Sequence, residues 1–214
     1  MFTETPDDDL TNNNKDKILN LPAFDISQDN RGYFIPRVNE MLNPQYKITA
    51  VCGRGVFSTV VKVVDINSNI EYAVKVIRTR DEMLISGEKE KMVVKKLNDI
   101  DKSGKYISLI FLDKNHIIRL INCFDYKKHI CLVFELMEMN LRELIKNYKT
   151  GLSLSAVKLY TKQIVLALEF LHSYDYIHAD FKLDNIVISK NHKNIKLCDF
   201  GSVLAGKLII LFHS

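Results

Sequence analysis

The hydrophobic period of this chain is mainly that of strands in its first part and mainly that of helices in its second, and that change constrains the fold more than any other feature. As far as about residue 135, apolar residues alternate in β-branched runs: YKITAV from Tyr46, STVVKVVDI from Ser58 and IEYAVKVIR from Ile70. This is the pattern of strands with at least one packed face. GRG at Gly53 to Gly55 and the turn-prone Asn67, Ser68 and Asn69 separate the runs, so they read as an antiparallel meander. HIIRLINCF from His116 and HICLVFE from His129, joined by the polar DYKK, add two more strands. One helix interrupts them, capped by Asp81 and reaching Asn98, with Gly87 weakening its first half.

Beyond that point the spacing becomes helical. Asn140 to Tyr148 reads as one helix. From about Ser153 to Ser173, Val157, Tyr160, Ile164, Ala167, Leu168 and Leu171 recur at helical intervals. NIVIS and NIKLC close the interpretable part as a small hairpin, and no internal repeat is evident. Strands first and helices second define an α+β chain of two subdomains, with any shared site in the cleft between them.

Composition narrows the setting. With 47% hydrophobic residues in 214, there is ample material for a packed core. The formal charge of +4 is spread over a mixture of both signs, so charge alone argues for no nucleic-acid or membrane partner. Cys52, Cys123, Cys131 and Cys198 form no CxxC pair and stand at no metal-ligand spacing, which fits reduced thiols in a cytosolic or nuclear protein. The acidic, amidic start MFTETPDDDLTNNNKDK is no secretory signal, and no apolar run approaches ~20 residues. Residues 1–30 are read as a disordered arm too poor in apolar groups to offset chain entropy.

Three sites carry chemistry. Gly53, Gly55 and Ser58 in GRGVFSTV lie between two strands, where glycines let backbone N–H groups approach phosphate oxygens; taken alone the same residues fit a Gly-containing hairpin equally well. Strand alternation puts Lys75 on one face with Ala73 and Ile77, where an ammonium needs a carboxylate partner, unless it is simply an exposed edge lysine. Glu90 shares a helix face with Val93, Val94 and Leu97 and so points inward, whereas Glu88 sides with Lys91 and Lys95. In YIHADFKLDNIVI, Asp180 is placed to accept a proton from a hydroxyl, and Lys182 to neutralise a transferring phosphoryl group. Asn185, with Asp199 of KLCDFG, offers hard oxygen ligands suited to Mg²⁺. Cys198, next to Asp199 and near Lys75, is either a cleft thiol that Lys75 biases toward thiolate or a buried inert one.

GRGVFSTV, AVK, HADFKLDN and DFG resemble, in order, the Gly-rich loop, strand lysine, catalytic loop and metal-binding motif of protein kinases, the class that serves as a general template for phosphoryl transfer. GRGVFSTVVKVVD, KKLND, CLVFELMEMNLREL and HADFKLDNIVI with KLCDFGS look more closely like the spliceosome-associated pre-mRNA-processing kinases. These form a branch of the CMGC group near the dual-specificity tyrosine-regulated kinases. The resemblance implies a two-lobed fold: an N-lobe of five antiparallel strands and one helix, then an incomplete helical C-lobe. The implied divisions are a lead-in at 31–45, resembling that family in GYFIPRVNEMLNPQY, N-lobe and hinge at 46–138, partial C-lobe at 139–201, and a tail at 202–214.

By the same resemblance, Gly53, Arg54, Gly55 and Ser58 form the phosphate loop, Lys75 holds the α- and β-phosphates of ATP, and Glu90 orients Lys75. Val60, Ala73 and Val187 sandwich the adenine, Phe134 gates the back of its pocket, and Glu135 to Met137 supply hinge contacts. Asp180 is the catalytic base with Lys182 beside it, and Asn185 and Asp199 hold Mg²⁺. Lys182 two places after Asp180 fits serine/threonine specificity. The implied partners are ATP and protein substrates, splicing factors among them, with no direct nucleic-acid or membrane contact; the implied setting is a monomer of the nucleus, or of nucleus and cytoplasm.

Three substitutions depart from the family pattern. Ser58 replaces a third glycine, Leu183 replaces a common proline, and Ala179 replaces the arginine that pairs with a phosphorylated activation loop, which argues against that control. After Gly201, SVLAGKLIILFHS carries no APE motif and none of the later helices. The tail is expected to mark a truncated frame or a short isoform, with weak nucleotide binding and poor turnover. The rivals are a non-catalytic nucleotide-binding module and a fragment acting only through protein interaction.

Overall fold

The computed structural model describes residues 27–103 and 114–206. The expected arm up to residue 26 and the tail from Lys207 lie outside the described residues. Strands β1 (Tyr46–Arg54), β2 (Ser58–Asp65) and β3 (Glu71–Ile77) are followed by helix α1 (Asp81–Ser103), then by β4 (Leu120–Tyr126) and β5 (His129–Glu135). These strands form one antiparallel sheet in the order β1-β2-β3-β5-β4. Lys127 and Lys128 both take positive φ, 46° and 68°, which gives the β4–β5 hairpin its tight turn.

The period-two alternation divides the sheet between two cores. Val74 and Val76 of β3, with Cys131 and Val133 of β5, join Val61 and Val63 on the outer face. The segment ahead of β1 closes that face with Phe34 and Leu42, each 1% exposed. Ile77, Ile130, Leu132 and Phe134 point the other way and meet Val93, Val94 and Leu97 of α1 in a core that continues into the second lobe. A strand covered on both faces has no room for polar alternation, and β5 is buried along almost its whole length.

The second lobe starts with the two-residue strand β6 (Met139–Asn140) and helix α2 (Leu141–Asn147). Asn140 caps α2 reciprocally: its side chain accepts from the Glu143 N–H, and Glu143 accepts from the Asn140 N–H. Helix α3 (Leu154–Ser173) is capped by Ser153 and followed by β7 (Tyr176–Ile177), a 3₁₀ turn at Leu183–Asn185, β8 (Ile186–Ile188), β9 (Ile195–Leu197) and β10 (Leu204–Ala205). The β8–β9 hairpin gains β6 as a third strand, and β10 pairs with β7.

Four details differ from the sequence reading. Helix α1 runs to Ser103 rather than Asn98. The run from His116 does not begin as a strand: His116 is left-handed at φ 49°, and Ile117 and Ile118 cross to β9, where the Ile118 N–H donates to the Leu197 carbonyl at 2.9 Å. On α3, Val157 is 43% exposed. Gln163 is buried in that helix instead, because its amide donates to the Lys193 carbonyl at 2.8 Å and accepts from the Ile195 N–H at 2.7 Å.

At Gly87 helix α1 comes close to β3. A Cβ there would stand 2.9 and 3.0 Å from the γ-carbons of Ile77, so the glycine that lowers helix propensity is what lets the helix dock on β3. Gly87→Ala is expected to destabilise by about 1–2 kcal/mol through overpacking, despite the better helix former. In an Ile77→Ala background, where those γ-carbons are gone, the same change should become neutral or stabilising in a urea-denaturation double-mutant cycle. Additive effects would show that the contact does not set the cost.

Candidate active site

Lys75 lies mid-strand in β3, opposite Val60 of β2 and Leu132 of β5. Its Nζ reaches Glu90 Oε2 at 2.7 Å and Asp199 Oδ1 at 2.8 Å. The Lys75 and Glu90 side chains are only 12% and 3% exposed. Burial alone would depress the ammonium, but the two carboxylates more than offset it and hold Lys75 charged. Burial pushes the Glu90 carboxyl up, against the pull of Lys75. Glu88, one turn-face away, pairs outward with Lys91.

The loop between β7 and β8 is organised by a buried ring. His178 is 2% exposed, and its Nε2 lies 2.9 Å from the Cys198 carbonyl, which can only accept, so that nitrogen carries the hydrogen. Its Nδ1 then accepts from the Asp180 N–H at 3.4 Å, and burial keeps the imidazole pKa low, in favour of this neutral form. Phe200, fully buried, packs edge-on to the same ring with centroids 5.3 Å apart. Asn185 donates to both the backbone carbonyl and Oδ2 of Asp180, at 2.9 and 3.0 Å. Lys182 Nζ lies 2.7 Å from Asp180 Oδ2, and the Lys182 hydrogen bond chiefly holds the Asp180 pKa below its usual range. Arg142 of α2 grips Asp184 with Nε bonds of 2.9 Å to both oxygens, fixing the loop from outside.

A cleft of about 510 Å³ separates the sheet from the second lobe. Gly53, Arg54, Gly55, Ser58, Val60, Ala73 and Lys75 line its sheet side. Phe134, Glu135 and Met137 line the connection between the lobes, and Asn185, Val187 and Asp199 the far side, with Glu90 behind Lys75. Asp180 and Lys182 are not among the lining residues and stand beside them, joined through Asn185. At Gly53 and Gly55 there is open space where a side chain would stand, so backbone there is free to meet a ligand. Glu135 turns its carboxylate away from the cleft to Lys196 at 2.6 Å and to the Arg119 N–H at 2.8 Å, leaving its backbone at the cleft wall.

The residues present fit a nucleotide bound with Mg²⁺. The cleft offers apolar walls from Val60, Ala73 and Val187, one buried cation, and hard oxygen donors from Asn185 and Asp199. Among the described residues no three His, Cys, Asp or Glu side chains converge on one point, so a metal here would draw its remaining ligands from phosphate and water. No helix among them is long and apolar enough to cross a membrane.

For Cys198 the structure favours the second of the two readings, a buried inert thiol. Cys198 lies at the cleft wall beside Asp199, but burial, with the Asp199 charge next, pushes its thiol up to about 12, and Lys75 is already engaged by two carboxylates. The thiol stays protonated. The sequence reading gave no role to His178, Phe200 or the Arg142–Asp184 pair, although HAD and the phenylalanine of DFG contain two of the three. The signal available in the sequence was position alone: His178 stands two residues before Asp180, and Phe200 directly follows Asp199.

Comparison with known proteins places this geometry. The protein kinase domain model matches residues 46–207. The chain is 36% identical to the serine/threonine-protein kinase prpf4B of Dictyostelium discoideum over 97% of this chain and 27% of that protein. It is 34% identical to the serine/threonine-protein kinase prp4 of Schizosaccharomyces pombe, over 94% and 42%. The dual specificity tyrosine-phosphorylation-regulated kinase 2 of Drosophila melanogaster is 31% identical over 87% and 26%. The chain therefore spans about a quarter to two fifths of the length of these relatives. With a matching model over most of its residues and relatives above 30% identity, the chain belongs to the protein kinase family.

Proposed function

We propose that this chain is the nucleotide-binding and catalytic-loop part of a serine/threonine protein kinase acting on splicing factors in the nucleus. The observation that carries the proposal is the Lys75 ammonium held at once by Glu90 and Asp199, with Asp180 tied to the same cleft through Asn185. Mg-ATP would supply the phosphoryl group. The chain's own residues do the rest: Gly53, Arg54, Gly55 and Ser58 cover the phosphates, and Lys75 pairs with them while Glu90 fixes its position. Val60, Ala73 and Val187 enclose the base, Phe134 closes the back of the pocket, and Glu135 to Met137 offer backbone partners. Asn185 and Asp199 hold the metal. Asp180, kept ionised by Lys182, accepts the proton from the serine or threonine hydroxyl, and Lys182 offsets negative charge beside it. The names of the Dictyostelium discoideum and Schizosaccharomyces pombe relatives support the serine/threonine assignment, and the splicing assignment rests on the resemblance of GRGVFSTVVKVVD, KKLND and CLVFELMEMNLREL to the pre-mRNA-processing kinases.

The test uses radiolabelled ATP, an arginine/serine-rich splicing protein and direct nucleotide binding. Asp180→Asn should lower phosphate transfer by about 10²–10⁴-fold, because general acid–base catalysis is worth that much, with nucleotide affinity kept within about twofold. Transfer that survives the substitution refutes the assignment. Binding without transfer in the unsubstituted chain makes it a non-catalytic module instead.

A second expectation concerns the buried charge. Lys75→Met leaves Glu90 buried without its cation, which should cost about 3 kcal/mol near pH 8. Burial already raises the folded-state pKa of Glu90, and loss of Lys75 raises it further. The folded state therefore takes up the Glu90 proton at higher pH than the unfolded state, and the deficit shrinks as pH falls through that raised pKa. Denaturation at pH 8 and pH 5.5 should show the variant recovering relative to the parent, and adding Glu90→Gln should recover much of the loss at pH 8. A pH-independent deficit would contradict the assignment of the cost to Glu90.

A further inference from the structure

Ahead of β1 the chain makes a tight turn that the sequence reading divided between the arm ending at residue 30 and the lead-in at 31–45. Asp29 Oδ1 accepts from the N–H groups of Arg31 and Tyr33, both at 2.9 Å, and Gly32 takes φ 79°. The turn is seated on the residues that follow β3. The Thr79 N–H donates to the Gly32 carbonyl at 2.9 Å, Arg78 Nε donates to the Arg31 carbonyl at 2.6 Å, and a Cβ at Gly32 would come within 2.8 Å of Thr79 Oγ1. From this seat Tyr33 reaches over the loop between β1 and β2. Its hydroxyl donates to the Val56 carbonyl at 3.0 Å. The Arg54 guanidinium lies 3.7 Å from the centre of the Tyr33 ring, and that of Arg78 lies 4.3 Å from it. Arg54 also pairs with Asp29 of the same turn.

The loop held in this way has few other anchors: the Arg78 N–H donates to the Phe57 carbonyl at 3.0 Å, and Arg78 Nη1 lies 3.4 Å from the Val56 carbonyl. Within it the Gly55 N–H bonds the Ser58 carbonyl at 2.9 Å, Val56 is 64% exposed, and nothing lies within 4 Å of where a side chain would stand on Gly53 or Gly55. A loop with two glycines loses much chain entropy when it is ordered, so anchors that act before ligand binding reduce what the ligand must supply. The anchors here act on the Arg54 side chain and the Val56 carbonyl and occupy no N–H group of the loop. We propose that the Asp29–Tyr33 turn is a strut for the phosphate loop, with Tyr33 a positioning residue that presets the N–H groups of residues 53–58 for the phosphates of a nucleotide. This rests on the nucleotide-binding reading of the cleft. The ligand class it favours is nucleoside di- and triphosphates over the bare nucleoside.

The experiment compares the 214-residue chain with Tyr33→Leu, which removes ring and hydroxyl, and Tyr33→Phe, which keeps the ring stacking and loses the hydrogen bond. Amide hydrogen exchange is read first, without ligand. Tyr33→Leu should speed exchange across residues 53–58 and leave the buried strand amides at Val74 and Val133 unchanged, with Tyr33→Phe intermediate. Affinities for Mg-ADP and adenosine are read next. Mg-ADP binding should weaken about fivefold in Tyr33→Leu, in line with the loss of one or two such contacts, while adenosine binding stays level. A merely structural role would weaken both ligands together and speed exchange in the core, and that result overturns the strut. Unchanged loop exchange overturns it as well, and so does an unchanged preference for Mg-ADP over adenosine. If Tyr33→Leu does not fold, Tyr33→Phe and Asp29→Asn carry the same comparison. An unsubstituted chain that binds neither ligand refutes the nucleotide reading itself, and the strut's purpose falls with it.

Discussion

The position of one buried ammonium organises most of this molecule. Taking Lys75 out of water costs several kcal/mol unless it is compensated, and the one carboxylate of β3, Glu71, pairs with Lys62 at 2.7 Å, so the compensation comes from two other parts of the chain. Glu90 can reach it only if α1 packs close against β3, and α1 packs close because Gly87 presents no side chain to Ile77. Asp199 can reach it only if the loop after β9 comes up under the sheet, which brings the second lobe with it. One cation facing two carboxylates also leaves an excess negative charge at the cleft, beside the amide oxygen of Asn185. A site so biased favours cations, and it explains why a nucleotide would enter accompanied by a divalent metal.

The sheet that carries Lys75 is covered on both faces, and this has consequences for the segment ahead of it. Val74 and Val76 alternate with Lys75, so the face opposite the cleft is apolar and would be open to water without Phe34 and Leu42. Tyr46 adds a stacked contact with Phe124, 5.7 Å between centroids, on the same side. The lead-in is therefore part of the N-lobe core and not an appendage to it. The same packing brings the Asp29–Tyr33 turn to the end of β3, within reach of the glycine-containing loop.

What was legible in the sequence follows from periodicity. The five strands, the helices and the inward face of Glu90 all express a period of two or 3.6 over enough residues to stand above chance, and motif order singled out the residues proposed for the site. Shorter elements could not: β6, β7 and β10 have two residues each, and only their partners define them. Side chains that act against their type were also hidden. Gln163 is buried because a hairpin's backbone needs its amide, and Val157 is exposed although it shares the helical spacing of buried neighbours. Cys198 was left between two readings for a different reason. Proximity to Lys75 suggested a thiolate, but burial and the charge of Asp199 outweigh a cation already shared by two carboxylates.

Two residues at the site, Ala179 and Asp199, hold φ of 59° and 65°, conformations that cost non-glycine residues free energy and persist only where neighbours over-determine them. The over-determination here converges on His178. Its Nε2 bonds the Cys198 carbonyl, just before Asp199, and its Nδ1 accepts from the N–H of Asp180, just after Ala179, while Phe200 covers the ring. A single neutral imidazole thus joins the two strained turns and sets the path by which Asp180 and Asp199 reach the same cleft. Protonation would convert Nδ1 from an acceptor into a donor facing another donor and would place a charge in the core, so burial keeps the ring neutral against the opposing pull of the Cys198 carbonyl and the nearby carboxylates. Ala179 fits this scheme: its side chain is exposed and does nothing there, because the backbone of that position is shaped by the residues on either side.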